Sequence, residues 1–124
     1  MVLLCIDDDP DDLMLFKDAV RYIDDSHTCV VASNGREALM VLNTMVPDYI
    51  FLDINMPIMD GKETLRFIRK DDRLIAVPIC ILSTSDSKAE LDYCMRLGAT
   101  EWVVKPNSFE GLIRSLRGVI GGRL

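Results

Sequence analysis

A doubly wound α/β domain is the fold this sequence predicts, and three observations point to it. Short apolar runs rich in β-forming residues alternate with amphipathic helical stretches five times along the chain. Two of these runs, Tyr49–Asp53 and Val77–Leu82, are nearly continuous in apolar residues, the pattern of parallel strands covered on both faces. The connections between runs are short. Strict β-α alternation with short links requires right-handed crossovers and one parallel sheet with helices on both sides.

Each element follows from its own residues. Val2–Ile6 is the first strand, and Asp9-Pro10 behind it reads as N-cap and first helical position. The first helix places Leu13, Phe16, Val20 and Ile23 on one stripe. Thr28–Ala32 is the second strand, and a helix starting near Asn34 carries Glu37 at the capping-box position and buries Leu39, Leu42 and Val46. Tyr49–Asp53 is the third strand, followed by a helix over Lys62–Lys70 with Leu65 and Ile68 inward. After the strand Val77–Leu82, a helix from about Ser85–Ser87 buries Leu91, Cys94 and Met95 and stops at Gly98. Glu101–Val104 is the last strand. The last helix is capped by Asn107, carries Phe109, Leu112, Ile113, Leu116, Val119 and Ile120 at a 3.6-residue period, and ends at Gly121-Gly122. Five strands in a chain of this size fit the flavodoxin-like order 2-1-3-4-5, with five helices on two faces.

At 124 residues the chain reads as one domain, 1–124, and 49% apolar content is ample for a packed core. A net charge of −6 without a basic stripe argues against a nucleic-acid surface. The apolar runs are far shorter than a membrane span, and no cationic leader precedes the first strand, so a cytoplasmic location is expected. Cys5, Cys29, Cys80 and Cys94 are scattered without a C-x-x-C and read as buried reduced thiols. His27 stands alone in a polar connection and reads as a solvated loop residue. Met56 and Met59 read as packing residues rather than soft-metal ligands.

The chemistry gathers at strand ends. The first strand runs directly into Asp7-Asp8, the third ends at Asp53, the fourth at Ser83-Thr84 and the fifth at Lys105-Pro106. Parallel strands place all their carboxyl ends on one rim, where open α/β sheets bind ligands. Two carboxylates about 4 Å apart repel by about 4 kcal/mol at an effective dielectric of about 20. Such a cluster traps a proton or binds a cation, and oxygen-only donors point to Mg²⁺ or Ca²⁺. Asp9, Asp11 and Asp12 read instead as residues of the helix start. An acid pair, a lone carboxylate, a hydroxyl and a cation in one crevice suit phosphoryl transfer onto a carboxylate. Asp53 is then the nucleophile, and Lys105 and Ser83 hold phosphoryl oxygens. An ionised Asp53 needs no general base.

These residues resemble the receiver domain of two-component response regulators, the single-domain chemotaxis type in particular. The likeness is carried by Ile6-Asp7-Asp8-Asp9-Pro10, Asn34-Gly35, Leu52 through Gly61, Pro78, Leu82-Ser83, Gly98-Ala99 and Val104-Lys105-Pro106, which span nearly the whole chain. The resemblance implies a phosphoacceptor at Asp53, charged by a sensor histidine kinase or a histidine phosphotransfer protein. It implies Mg²⁺ or Mn²⁺ held by Asp8, Asp7, Asp53 and the backbone carbonyl of Asn55. It further implies Ser83 as the switch hydroxyl, Lys105 as its charged partner, a cis Lys105–Pro106 bond, and Trp102 as the aromatic that follows the switch. A downstream protein target would be met by the fourth helix, fifth strand and fifth helix, with the chain a monomer or a phosphorylation-dependent dimer. The chain is expected to make no direct contact with nucleic acid or membrane, and the resemblance implies no enzyme beyond turnover of its own aspartyl phosphate. Ser83 stands where threonine is commoner, Thr84 is larger than the usual neighbour, and Trp102 is bulkier than the usual aromatic.

Two other classes compete. A small Mg²⁺-dependent phosphatase of the haloacid-dehalogenase kind also uses an Asp nucleophile. It carries its acid/base Asp two residues on, where this chain has Asn55. A flavodoxin-like cofactor binder must cradle a phosphate in its first loop, and Asp7-Asp8-Asp9 would repel one.

Overall fold

The structure, a computed structural model, describes residues 1–56 and 59–121. Its elements are β1 (Val2–Ile6), α1 (Pro10–Ile23), β2 (Thr28–Ala32), α2 (Gly35–Leu42), β3 (Tyr49–Leu52) and α3 (Gly61–Lys70). A short 3-10 turn over Asp72–Leu74 leads to β4 (Ile79–Ser83), α4 (Lys88–Arg96), β5 (Glu101–Val104) and α5 (Phe109–Gly121). The five strands form one sheet in the order β2-β1-β3-β4-β5, and every neighbouring pair is parallel. The expected fold class is the one observed.

The period-2 alternation of each strand sorts its side chains between two cores. Leu4, Ile6, Ile50, Leu52, Ile79 and Ile81 meet Ala38 and Leu42 of α2, Leu65 and Ile68 of α3, and Cys94 of α4. Leu3, Cys5, Tyr49, Phe51, Cys80 and Leu82 face the other way, against Leu13, Phe16 and Val20 of α1 and Ile113, Leu116 and Ile120 of α5. Burial on both faces is why β3 and β4 carry no polar residue before their ends. The same double covering leaves only the rim free for chemistry.

Local chemistry sets the helix starts. Asp9 caps α1 by accepting from the Asp11 N–H, with Pro10 behind it. Asn34 caps α2 by accepting from the Glu37 N–H, while the Glu37 carboxylate reaches back to the N–H and hydroxyl of Ser33, one residue further than expected. Asp60 caps α3 through the Glu63 N–H, and Ser87 caps α4 through the Glu90 N–H.

Several expectations need correction. α5 starts at Phe109, and its cap is Ser108, whose hydroxyl accepts from the Gly111 N–H; Asn107 lies one residue outside. The stop at Gly121-Gly122 reaches beyond the described residues. β4 begins at Ile79 instead of Val77, because Pro78 has no N–H to donate and contributes only its carbonyl, to Ile50. α2 ends at Leu42, which leaves Val46 outside the helix and exposed. Met95 is exposed, since short α4 covers the sheet with a single line of side chains, in which Cys94 is buried and Leu91 half-buried. His27 is half-buried, its Nδ1 3.1 Å from the Met1 ammonium, and so is not a solvated loop residue. The Lys105–Pro106 bond is trans, the form an X–Pro bond prefers intrinsically, where the resemblance implied cis. All four cysteines are free, with Cys5, Cys80 and Cys94 buried and Cys29 half-buried.

Candidate functional site at the carboxyl rim of the sheet

Backbone hydrogen bonds from neighbouring strands place the rim residues. The Asp7 N–H donates to the Ala32 carbonyl at 3.1 Å, the Asp53 N–H to the Ile6 carbonyl at 2.9 Å, and the Lys105 N–H to the Ser83 carbonyl at 2.7 Å. Each of the three thus continues the sheet ladder by one residue past its strand. Their side chains are delivered to one spot by rigid elements, although Asp7 and Lys105 lie at opposite ends of the chain.

One carboxylate oxygen from each of Asp7, Asp8 and Asp53 lies within 4.8 Å of the others. Asp7 and Asp53 are buried and Asp8 is exposed, so the cluster opens to solvent on one side. The Lys105 ammonium sits against it, 2.7 Å from Asp7, 3.0 Å from Asp12 and 3.6 Å from Asp53. Burial pushes the Asp53 carboxyl up to about 6, and the charges of Asp7 and Asp8 add to that. The Asn55 N–H and the Lys105 charge pull the other way without cancelling it. For Lys105, burial alone would lower the pKa, but hydrogen bonds to Asp7 and Asp12 and the charges of Asp7 and Asp53 outweigh it, so the ammonium holds its proton more firmly than usual.

Ser83 is fully buried at the end of β4. Its hydroxyl accepts from the Ser85 N–H at 3.1 Å and stands 3.5 Å from the Asn55 amide nitrogen. Asn55 also donates its backbone N–H to Asp53 at 3.1 Å, so the loop after β3 is tied to both the carboxylate and the hydroxyl. Trp102 is half-buried and packs on the core beneath α2, α3 and α4. Its indole N–H is buried with no partner among the described residues. Met56 lies in that same core, in keeping with its reading as a packing residue.

Glycine at 61 is a geometric requirement of the site. A Cβ there would stand 2.2 Å from the Ile54 Cα and 2.5 Å from the Asp53 carbonyl oxygen. The start of α3 therefore rests directly on the backbone of the loop that carries Asp53. The motif residues Pro57 and Ile58 lie outside the described residues.

One rim residue was missed by reading the sequence. Asp12 reads there as part of a helix start, yet its carboxylate bonds Lys105. The signal was available: with Pro10 at the first helical position, Asp12 is third, and helical side chains tilt toward the helix N-terminus. That tilt aims its carboxylate back at the rim.

An all-oxygen donor set beside a half-buried ammonium can take a tetrahedral anion onto a carboxylate next to a hard cation. Sheet order and rim together define a phosphoryl-accepting module of the flavodoxin-like class. The response regulator receiver domain family matches residues 3–117, and the chain belongs to that family. It is 28% identical over 120 residues to the protein PilH of Pseudomonas aeruginosa, covering 97% of this chain and 98% of that one. The solved chemotaxis protein CheY4 of Vibrio cholerae superposes with a TM-score of 0.85 at 30% identity, over 95% of this chain and 97% of the other. The receiver domain of sensor histidine kinase PA1611 of Pseudomonas aeruginosa, described with a magnesium ion in its active site cleft, shares the fold. Its TM-score is 0.80 at 23% identity, over 97% of each chain. The chain spans half or less of the length of several longer regulators and methylesterases that it also matches. Its role is that of a two-component signalling domain, and the phosphatase alternative is disfavoured because Asn55 has no acidic proton for a leaving group. Among the described residues no helix is long and apolar enough to cross a membrane.

Proposed function

We propose that Asp53 is the phosphoacceptor and that the chain works as a single-domain switch, charged by a histidine kinase or histidine phosphotransfer protein and read by a downstream protein. The observation that carries this reading is the convergence of Asp7, Asp8, Asp53 and Lys105 on one rim. An Asp53 oxygen forms the new O–P bond as the donor's P–N bond breaks. The electron pair leaves with the donor imidazole, which takes up a solvent proton. Lys105, already 3.6 Å from Asp53, pairs with a phosphoryl oxygen. The Ser83 hydroxyl, now turned to the Ser85 N–H, is the group that exchanges its partner for another.

The donor set of Asp7, Asp8 and Asp53 fits Mg²⁺ or Mn²⁺, with the Asn55 backbone carbonyl as the further ligand that the resemblance implied. When bound, such a cation neutralises charge between the acceptor carboxylate and the phosphoryl oxygens. Signal output by contact fits the α4-β5-α5 face, where Met95 of α4 and Val104 of β5 expose apolar surface. Work in the cytoplasm, output without enzymatic activity on other substrates, and a monomer that stays so or dimerises on phosphorylation complete the reading.

Incubation with acetyl phosphate and Mg²⁺ followed by intact-mass measurement tests it. One phosphoryl adduct, released by hydroxylamine and absent in Asp53→Asn, is expected. An adduct that survives that substitution moves the acceptor elsewhere.

A further inference from the structure

We propose that Asp12 is a positioning residue that holds the Lys105 ammonium toward α1 and competes for it with a phosphoryl group on Asp53. This deepens the phosphoacceptor reading and rests on it. A lysine ammonium has three N–H donors. Two are spent on the β1-α1 side, at 2.7 Å to Asp7 and 3.0 Å to Asp12. The third is left facing Asp53 at 3.6 Å, beyond hydrogen-bond length. Lys105 thus rests toward α1, pulled away from the carboxylate on which the phosphoryl group would sit.

The two anchors differ in what displaces them. Asp7 belongs to the carboxylate cluster that suits a divalent cation, and a cation there takes over its charge. Asp12 lies outside that cluster, and nothing at the metal site frees Lys105 from it. Its side chain is 39% exposed against 17% for Lys105, so the contact is wet enough to break. Asp12 therefore competes with the incoming anion for one ammonium. Affinity for a phosphoryl group is reduced by the fraction of Lys105 that Asp12 retains. Asp11 is the natural control. It is exposed, one residue away, and carries the same charge, and its backbone N–H serves the Asp9 cap without its side chain.

Beryllium trifluoride, a tetrahedral phosphoryl mimic that binds carboxylates, tests this in the full chain with Mg²⁺, read by fluorine NMR of the bound anion. Asp12→Asn is expected to bind it about two- to fivefold more tightly than the wild type, the range a half-exposed ion pair allows. Asp11→Asn should show a smaller gain, from charge alone, and Asp12→Glu should return to wild-type affinity. In a Lys105→Ala background the extra gain of Asp12→Asn over Asp11→Asn must vanish, because the interaction runs through the lysine. Equal affinities for Asp12→Asn and Asp11→Asn, or an extra gain that persists without Lys105, overturns the proposal while leaving the acceptor role of Asp53 intact. Wild-type binding that Asp53→Asn does not abolish overturns the acceptor reading, and this inference with it.

Discussion

Replacing Asp53 with asparagine stabilises the metal-free domain at neutral pH. The carboxylate is buried beside Asp7 and Asp8, and its pKa stands at about 6 against an ordinary 3.8. Because the folded value is raised, the native state binds this proton more tightly than the unfolded chain does. The contribution to stability is therefore fully present below pH 3.8 and is lost as pH rises through about 6. Above that, the ionised group costs at most about 3 kcal/mol, and less to the extent that solvent entering beside exposed Asp8 screens it. Asparagine keeps the shape and can still accept from the Asn55 N–H, while Lys105 keeps its two shorter contacts. Urea unfolding in chelator at pH 7.5 should thus show Asp53→Asn more stable by about 1–3 kcal/mol, with a correspondingly higher Tm. The gap should shrink to under about 1 kcal/mol near pH 4. A destabilised variant, or a gap that widens toward acid, refutes the reasoning about the carboxylate cluster.

Lys105→Met leaves Asp7, Asp12 and Asp53 without their common cation and should cost about 2–4 kcal/mol in chelator, somewhat below a fully buried pair. The same variant should bind Mg²⁺ more tightly than the wild type by calorimetry, since the carboxylates have lost a competing positive charge. Gly61→Ala forces a Cβ into the backbone of Ile54 and Asp53 and should cost about 3 kcal/mol by thermal unfolding, with a slower rate of phosphoryl uptake. Ser108→Ala should cost about 1 kcal/mol through loss of the α5 cap, whereas Asn107→Ala should stay within about 0.5 kcal/mol. Equal costs for these two would restore Asn107 as the cap.

The sheet was legible because burial on both faces writes itself into the strands as continuous apolar runs, and four of the rim groups were legible because they interrupt or follow those runs. Asp7, Asp53, Ser83 and Lys105 stand where apolar residues stop, and parallel topology does the rest. Asp12 was not legible in that way. An acid in the first turn of a helix suits the helix dipole whether or not a lysine waits above it, so composition alone cannot tell the two apart. Ser108 and Asn107 are both good capping residues, and only the path of the chain after Pro106 chooses between them. Met95 fits the helical period of α4, yet its exposure depends on how much sheet that short helix can cover. The contact of His27 with the chain's amino group joins two distant segments that no local pattern connects.

The most direct measurement is the position of the phosphoryl group itself. After phosphorylation by acetyl phosphate in Mg²⁺, borohydride reduces an aspartyl phosphate to homoserine, and peptide mass mapping locates the changed residue. Conversion at Asp53 alone, lost in chelator and greatly reduced in Lys105→Met, is the predicted result. Conversion at Asp7, Asp8 or Asp12, or none under conditions where the intact protein gains a phosphoryl mass, contradicts the account.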